Sequence, residues 1–130
     1  MKLVSALGIA TLALLTTAAF ADDYVGGAIK TTEIGGKEVL TDAKGMTLYT
    51  FDKDAPGVTN CYDKCAVNWP PLLAAADAKA DGDFTLVDRT DGTKMWAYDG
   101  KPLYTFAKDK KAGDMTGEGK GGVWHVAKAD

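Results

Sequence analysis

The chain has little of what most catalytic and cofactor sites are built from: one histidine and two cysteines in 130 residues. With a single histidine and no G-x-S-x-G, a serine-hydrolase triad has no support. There is no haem-attachment C-x-x-C-H. Cys61 and Cys65 lie outside the redox C-x-x-C spacing, which favours a structural bridge over a catalytic one. The stretch from Gly117 to Gly122 is glycine-rich but has the spacing of neither nucleotide fingerprint. Carboxylates are plentiful, yet Asp109, Asp114 and Glu118 are not spaced as a calcium-binding loop. Nothing pairs two of them as a glycosidase requires. No basic cluster follows an aromatic platform and the net charge is −3, which argues against a nucleic-acid partner. The charges are dispersed and speak for solubility.

Long apolar runs are absent outside the first 21 residues. There Lys2 precedes an apolar stretch ending in Ala19-Phe20-Ala21, a small-x-small cleavage site, followed by Asp22-Asp23. Residues 1–21 therefore read as a secretory signal peptide. A membrane anchor is the competing reading, but the cleavage site and the abrupt polar start favour removal. Residues 22–130 then form one exported domain, periplasmic or secreted, with no membrane span. It is large enough to bury a modest core. In an exported chain the even pair Cys61 and Cys65 reads as a disulfide.

What the chain does have is a repeat. Gly45-Met46-Thr47-Leu48-Tyr49-Thr50-Phe51-Asp52-Lys53-Asp54 returns as Gly100-Lys101-Pro102-Leu103-Tyr104-Thr105-Phe106-Ala107-Lys108-Asp109, identical at seven of ten positions. The same offset of 55 maps Trp69 onto Trp124. Recurrence at a fixed period marks copies of one supersecondary unit. The copies span about 28–73 and 83–127. Short β-prone runs separated by turn signals, such as Gly35-Gly36 and Asp99-Gly100, predict strands near 28–33, 38–41 and 46–51. In the second copy they predict strands near 84–88, 94–98, 103–106 and 123–127. Residues 61–67 read as a short helical turn stopped by Pro70-Pro71, and residues 74–83 as a helical turn or linker. The expected fold is mostly β: two pseudo-equivalent antiparallel meanders in one small domain, with a short helical turn at the disulfide.

The pattern resembles a bacterial family of secreted or lipoprotein repeats marked by a tyrosine-x-aromatic-x-x-aspartate motif. Tyr49-Thr50-Phe51-Asp52-Lys53-Asp54 and Tyr104-Thr105-Phe106-Ala107-Lys108-Asp109 both fit it. The stretches from Cys61 to Pro71 and from Gly121 to Val126 look like other typical segments of that family. The resemblance covers nearly all of the exported chain. It implies a secreted β-rich repeat domain and no established activity. It departs in one respect: many relatives are lipid-anchored, and no acceptor cysteine follows the apolar run here.

Two readings of the motif stay open. In a strand, Tyr49 and Phe51 share a face, as do Tyr104 and Phe106. One reading makes these rings core, with Asp54 and Asp109 capping the turns where the chain leaves each strand. The other has the duplicated tyrosines and aspartates, with Trp69 and Trp124, line a groove between the halves. His125, the only histidine, points in a strand to the face opposite its neighbours Trp124 and Val126. With Met115 it is the candidate for a soft metal such as copper, or for haem ligation. The leading functional reading is a non-enzymatic binding or interaction module without a cofactor, whose partner is a small ligand or an envelope protein. Haem or metal binding is the alternative, and thiol redox chemistry at Cys61 and Cys65 the weaker one. Export is tested by the intact mass of the secreted product. A chain beginning at Asp22 is expected, and a retained Met1 or a lipid adduct contradicts it.

Overall fold

The computed structural model describes residues 23–129, so the signal peptide read at 1–21 lies outside the described residues. The first repeat opens with β1 (Asp23–Tyr24), β2 (Ile29–Ile34) and β3 (Lys37–Asp42), paired antiparallel in that order. It continues through β4 (Tyr49–Phe51) and a five-residue helix, α1 (Lys64–Asn68). The first repeat ends in β5 (Leu73–Ala74), and the second supplies β6 (Phe84–Asp88), β7 (Lys94–Tyr98), β8 (Lys101–Pro102) and β9 (Trp124–Val126). β7 lies between β5 and β6 and also pairs with β8. The β7–β8 turn is Asp99-Gly100, both with positive φ (52° and 80°), as a tight hairpin demands. Residues 75–83 hold turns and no helix. The domain is thus mostly β with antiparallel sheets, as the periodicity implied.

The motif strands do not simply extend their own meanders. β4, from the first repeat, pairs with β9 at the end of the second, with Tyr49 opposite Val126 and Phe51 opposite Trp124. In the same way Tyr104 bridges to Pro71 of the first repeat. The two motifs meet at the centre, where Tyr49 N–H donates to Tyr104 O (2.7 Å) and Tyr104 N–H to Tyr49 O (3.0 Å). Flanking bonds repeat in pairs: Asp52 N–H to Val123 O matches Ala107 N–H to Asn68 O (2.8 and 2.9 Å). Ala127 N–H to Leu48 O matches Leu72 N–H to Leu103 O (2.8 and 2.9 Å). A pseudo-twofold axis therefore runs between Tyr49 and Tyr104.

Regular strand is shorter than the sequence suggests. Only Tyr49–Phe51 of residues 46–51 is strand, and residues 103–106 form bridges but no named strand. The difference between the two motifs has a simple cause. β4 faces His125 and Val126, which carry N–H groups, whereas the second motif faces Pro70 and Pro71, which carry none. Thr105 N–H donates to Pro70 O (2.9 Å), but no ladder bond can return.

Period-two alternation sends the motif side chains into two cores. Tyr49 and Tyr104 join Trp69, Phe106, Trp124, Met95 and Val87, while Leu48 and Leu103 join Ile29, Leu40, Phe84 and Trp96. Both faces of each motif therefore send side chains into a core, while Asp52, Lys53, Ala107 and Lys108 stay exposed. Cys61 and Cys65 form a disulfide with Cα atoms 5.2 Å apart, and only Cys65 lies on α1. Residue 63, inside that small ring, is an aspartate at φ 55°, a conformation that disfavours side chains. Phe106→Ala should lower unfolding free energy by about 3–5 kcal/mol, the usual range for truncating a packed phenylalanine. Chemical denaturation measures it, and a loss below about 1 kcal/mol would show that the ring is not packed.

Candidate functional site

The eight motif and tryptophan positions singled out in the sequence come together around the pseudo-twofold axis. Four rings stack in a row that alternates between the repeats. Phe51 lies on Trp124 (4.2 Å between centroids), Trp124 on Trp69 (3.8 Å, 3° between planes) and Trp69 on Phe106 (4.1 Å). Tyr49 meets Trp69 edge-on and Tyr104 meets Trp124 edge-on, both at 5.2 Å. The two edge-on contacts have the T-shaped geometry that aromatic pairs prefer. Tyr49 and Tyr104 have no exposed surface, and Trp69, Trp124 and Phe106 are buried; Phe51 is half-buried at the end of the row. Tyr49, Tyr104, Trp69, Trp124 and Phe106 are packed core, while Phe51 also lines a cleft at the surface.

Each tyrosine is held by the aspartate of the other repeat. Tyr49 Oη donates to Asp109 Oδ2 and Tyr104 Oη to Asp54 Oδ2, both at 2.6 Å. The second oxygen of each carboxylate caps its own loop: Asp54 Oδ1 accepts from Asn60 N–H (2.7 Å), and Asp109 Oδ1 from Thr116 N–H (3.0 Å) and Oγ1 (2.6 Å). Turn capping and a cross-repeat bond thus share one side chain. Burial, and next the carboxylate partner, hold both phenols far above their ordinary range, so they remain donors. Burial also raises Asp54, against the opposing pull of Tyr104 and of Asn60 N–H.

Several contributors were not singled out from the sequence. Thr59 Oγ1 lies 2.6 Å from Tyr104 Oη. Since that phenol gives its proton to Asp54, the threonine is the donor. Buried Arg89 approaches Thr59 Oγ1 (3.5 Å), donates to Cys61 O (3.1 Å) and lies over the Tyr62 ring (4.5 Å). Gly117 N–H donates to Tyr49 Oη (3.2 Å). A Cβ there would sit 2.6 Å from the Trp69 ring, so only glycine brings the backbone close enough. None of the three shows a spacing signal, because the loops that carry them differ between the copies.

The internal symmetry breaks on one face. Asp52 of the first motif corresponds to Ala107, and His125 corresponds to Pro70. His125 Nε2 lies 2.9 Å from Asp52 Oδ2, and its Nδ1 lies 3.4 Å from Glu118 Oε2. The hydrogen bond to Asp52, with a smaller pull from Glu118, raises the His125 pKa above its ordinary value. Asp52 and His125 border a cleft of about 520 Å³, also lined by Thr50, Tyr98, Lys101 and Lys128. That lies within the range of small-ligand sites. Met115 packs against the aromatic core. Among the described residues, no three His, Cys, Asp or Glu side chains are grouped to hold a metal ion.

A family model described as a secreted repeat of unknown function matches the chain twice, over residues 28–73 and 85–128. The chain belongs to that family. Neither curated proteins nor solved structures gave a match. The two matched segments are the halves related by the pseudo-twofold axis. Among the described residues, no helix is long and apolar enough to cross a membrane.

Tyr49→Phe and Tyr104→Phe each leave a buried carboxylate oxygen without its donor. Each should cost about 1–3 kcal/mol of stability in urea unfolding. Comparable losses at the two positions are expected from the pseudo-symmetry, and no loss at either would assign the phenols to something other than packing.

Proposed function

We propose that this secreted-repeat domain is a non-enzymatic periplasmic binding module that takes a small ligand or an envelope-protein segment in the cleft beside His125. The observation that carries this reading is the local loss of internal symmetry. Packing accounts for the residues that recur in both halves, since Tyr49, Phe51, Asp54 and Trp69 do the same work as Tyr104, Phe106, Asp109 and Trp124. The Asp52–His125 pair has no counterpart and borders the cleft of about 520 Å³. A fold that closes with Ala107 and Pro70 on one side does not need Asp52 and His125 on the other.

The cleft offers donors and acceptors of both signs in Lys101, Lys128, Asp52 and Asp99. A polar ligand with several hydrogen-bonding groups suits such a lining. Cys61 and Cys65 are joined and Cys61 is fully buried, which supports a structural part for them.

Two-dimensional amide spectra of the exported domain, titrated with fractionated envelope metabolites and peptides, test the reading. Saturable shifts at Thr50, Asp52, Lys101 and Lys128, abolished by Asp52→Ala, are expected. Saturable shifts confined to other surfaces would move the site elsewhere. A stoichiometric chromophore or metal in protein purified from its own envelope would replace this reading with cofactor binding.

A further inference from the structure

The two repeats fasten their long loops differently. In the first, the chain after Asp54 is held by Asn60 N–H on Asp54 Oδ1 and runs into the small ring closed by Cys61–Cys65. The corresponding loop of the second, residues 107–122, has no cysteine. It is held by hydrogen bonds: Thr116 to Asp109, Gly117 to Tyr49, and Val126 N–H to Glu118 Oε1 at 2.8 Å. The remaining oxygen, Glu118 Oε2, faces His125 Nδ1, while Asp52 Oδ2 faces Nε2.

A neutral imidazole has one N–H and one lone pair, so it can satisfy only one of two carboxylates. The imidazolium donates to Asp52 and brings its charge within 3.4 Å of Glu118 Oε2, so it answers both carboxylates. With acceptors set against opposite ring nitrogens, the arrangement is complete only when the ring carries its second proton. We propose that His125 is a proton-operated latch: as imidazolium it fastens the glycine-rich loop 107–122 to the end of β4, and on losing that proton to water it releases its hold. The neutral ring keeps its N–H for Asp52, the closer carboxylate, and turns a lone pair toward Glu118. Glu118 still accepts from Val126 N–H, so the loop loosens without unfolding. Because the neutral ring keeps its bond to Asp52, the loop of the first repeat holds its tie through the same change.

The other charged groups around the cleft are Asp54 and Asp99, which favour the imidazolium, and Lys101 and Lys128, which oppose it. Asp54 is already engaged with Tyr104 and Asn60. Asp52 and Glu118 are therefore the groups that set the latch. A proton held more tightly by the folded state stabilises it fully below the unfolded value near 6.5, and that contribution is lost as pH rises through the folded value. The latch is closed in mildly acidic surroundings and open in alkaline ones. It does not depend on the cleft being a binding site.

Because the chain has one histidine, its ring proton resonance reports this group alone. Titrating the exported domain should give an apparent pKa above 6.5, the ordinary value. Asp52→Asn and Glu118→Gln should each lower it. Glutamine retains an oxygen for Val126 N–H, so the Glu118 variant is expected to stay folded. Amide exchange in loop 107–122, corrected for intrinsic chemistry, should accelerate several-fold across the same titration while β2 and β3 stay unchanged. In His125→Gln the loop should exchange at the fast rate throughout. A pKa at or below 6.5, a pKa indifferent to Glu118→Gln, or loop protection that ignores the titration would each overturn the latch.

Discussion

Two phenol-to-carboxylate hydrogen bonds, Tyr49 to Asp109 and Tyr104 to Asp54, cross between the repeats at the centre of the domain. Both phenols are shut away from water, so each needs a partner, and neither finds it within its own copy. The aspartates are fixed in turn by backbone N–H groups of the loops that follow each motif. Loop, strand and opposite repeat are thereby tied through one side chain. The tryptophan stack depends on the same crossing, since Trp69 and Trp124 come from different copies and lie face to face. Half of the domain on its own would bury neither its tyrosine hydroxyl nor the outer face of its tryptophan.

Much of this was legible in the sequence. The recurrence of Tyr49, Phe51 and Asp54 as Tyr104, Phe106 and Asp109 gave two copies, and the turn signals at Gly35-Gly36 and Asp99-Gly100 located two hairpins. The helical turn expected over 61–67 forms a few residues later as Lys64–Asn68, and the Cys61–Cys65 pairing also followed from local chemistry. The exchange of partners did not. Strand pairing across more than 70 residues, as between Thr50 and His125, leaves no local trace, and a repeat reads the same whether it closes on itself or on its twin. The shortening of the second motif strand was foreshadowed by Pro70-Pro71, whose missing N–H groups matter only once their partner is known. Gly117 and Thr59 stayed hidden because each is required by a ring brought in from elsewhere in the chain.

The places where the copies differ carry different information from the places where they agree. Agreement tracks the core: aromatic rings, the two aspartates and the leucines on the opposite face. Difference at Asp52 and His125 falls on the half-exposed outer side of β4 and β9, where packing makes few demands. The same duplication that makes the fold readable thus separates what the fold requires from what was added to one face of it. The loops show the same division, with a disulfide in one and glycine-rich chain fastened by Asp109 and Glu118 in the other.

The central claim is that the two repeats form one cooperative unit because their key bonds cross. Calorimetry of the exported domain tests this most directly. A single transition is expected, with a calorimetric enthalpy equal to the van't Hoff enthalpy, as for a two-state domain of this size. Two resolved transitions, or a calorimetric enthalpy about twice the van't Hoff value, would mean that each repeat melts on its own. The crossed tyrosine–aspartate bonds would then not be what holds the structure together.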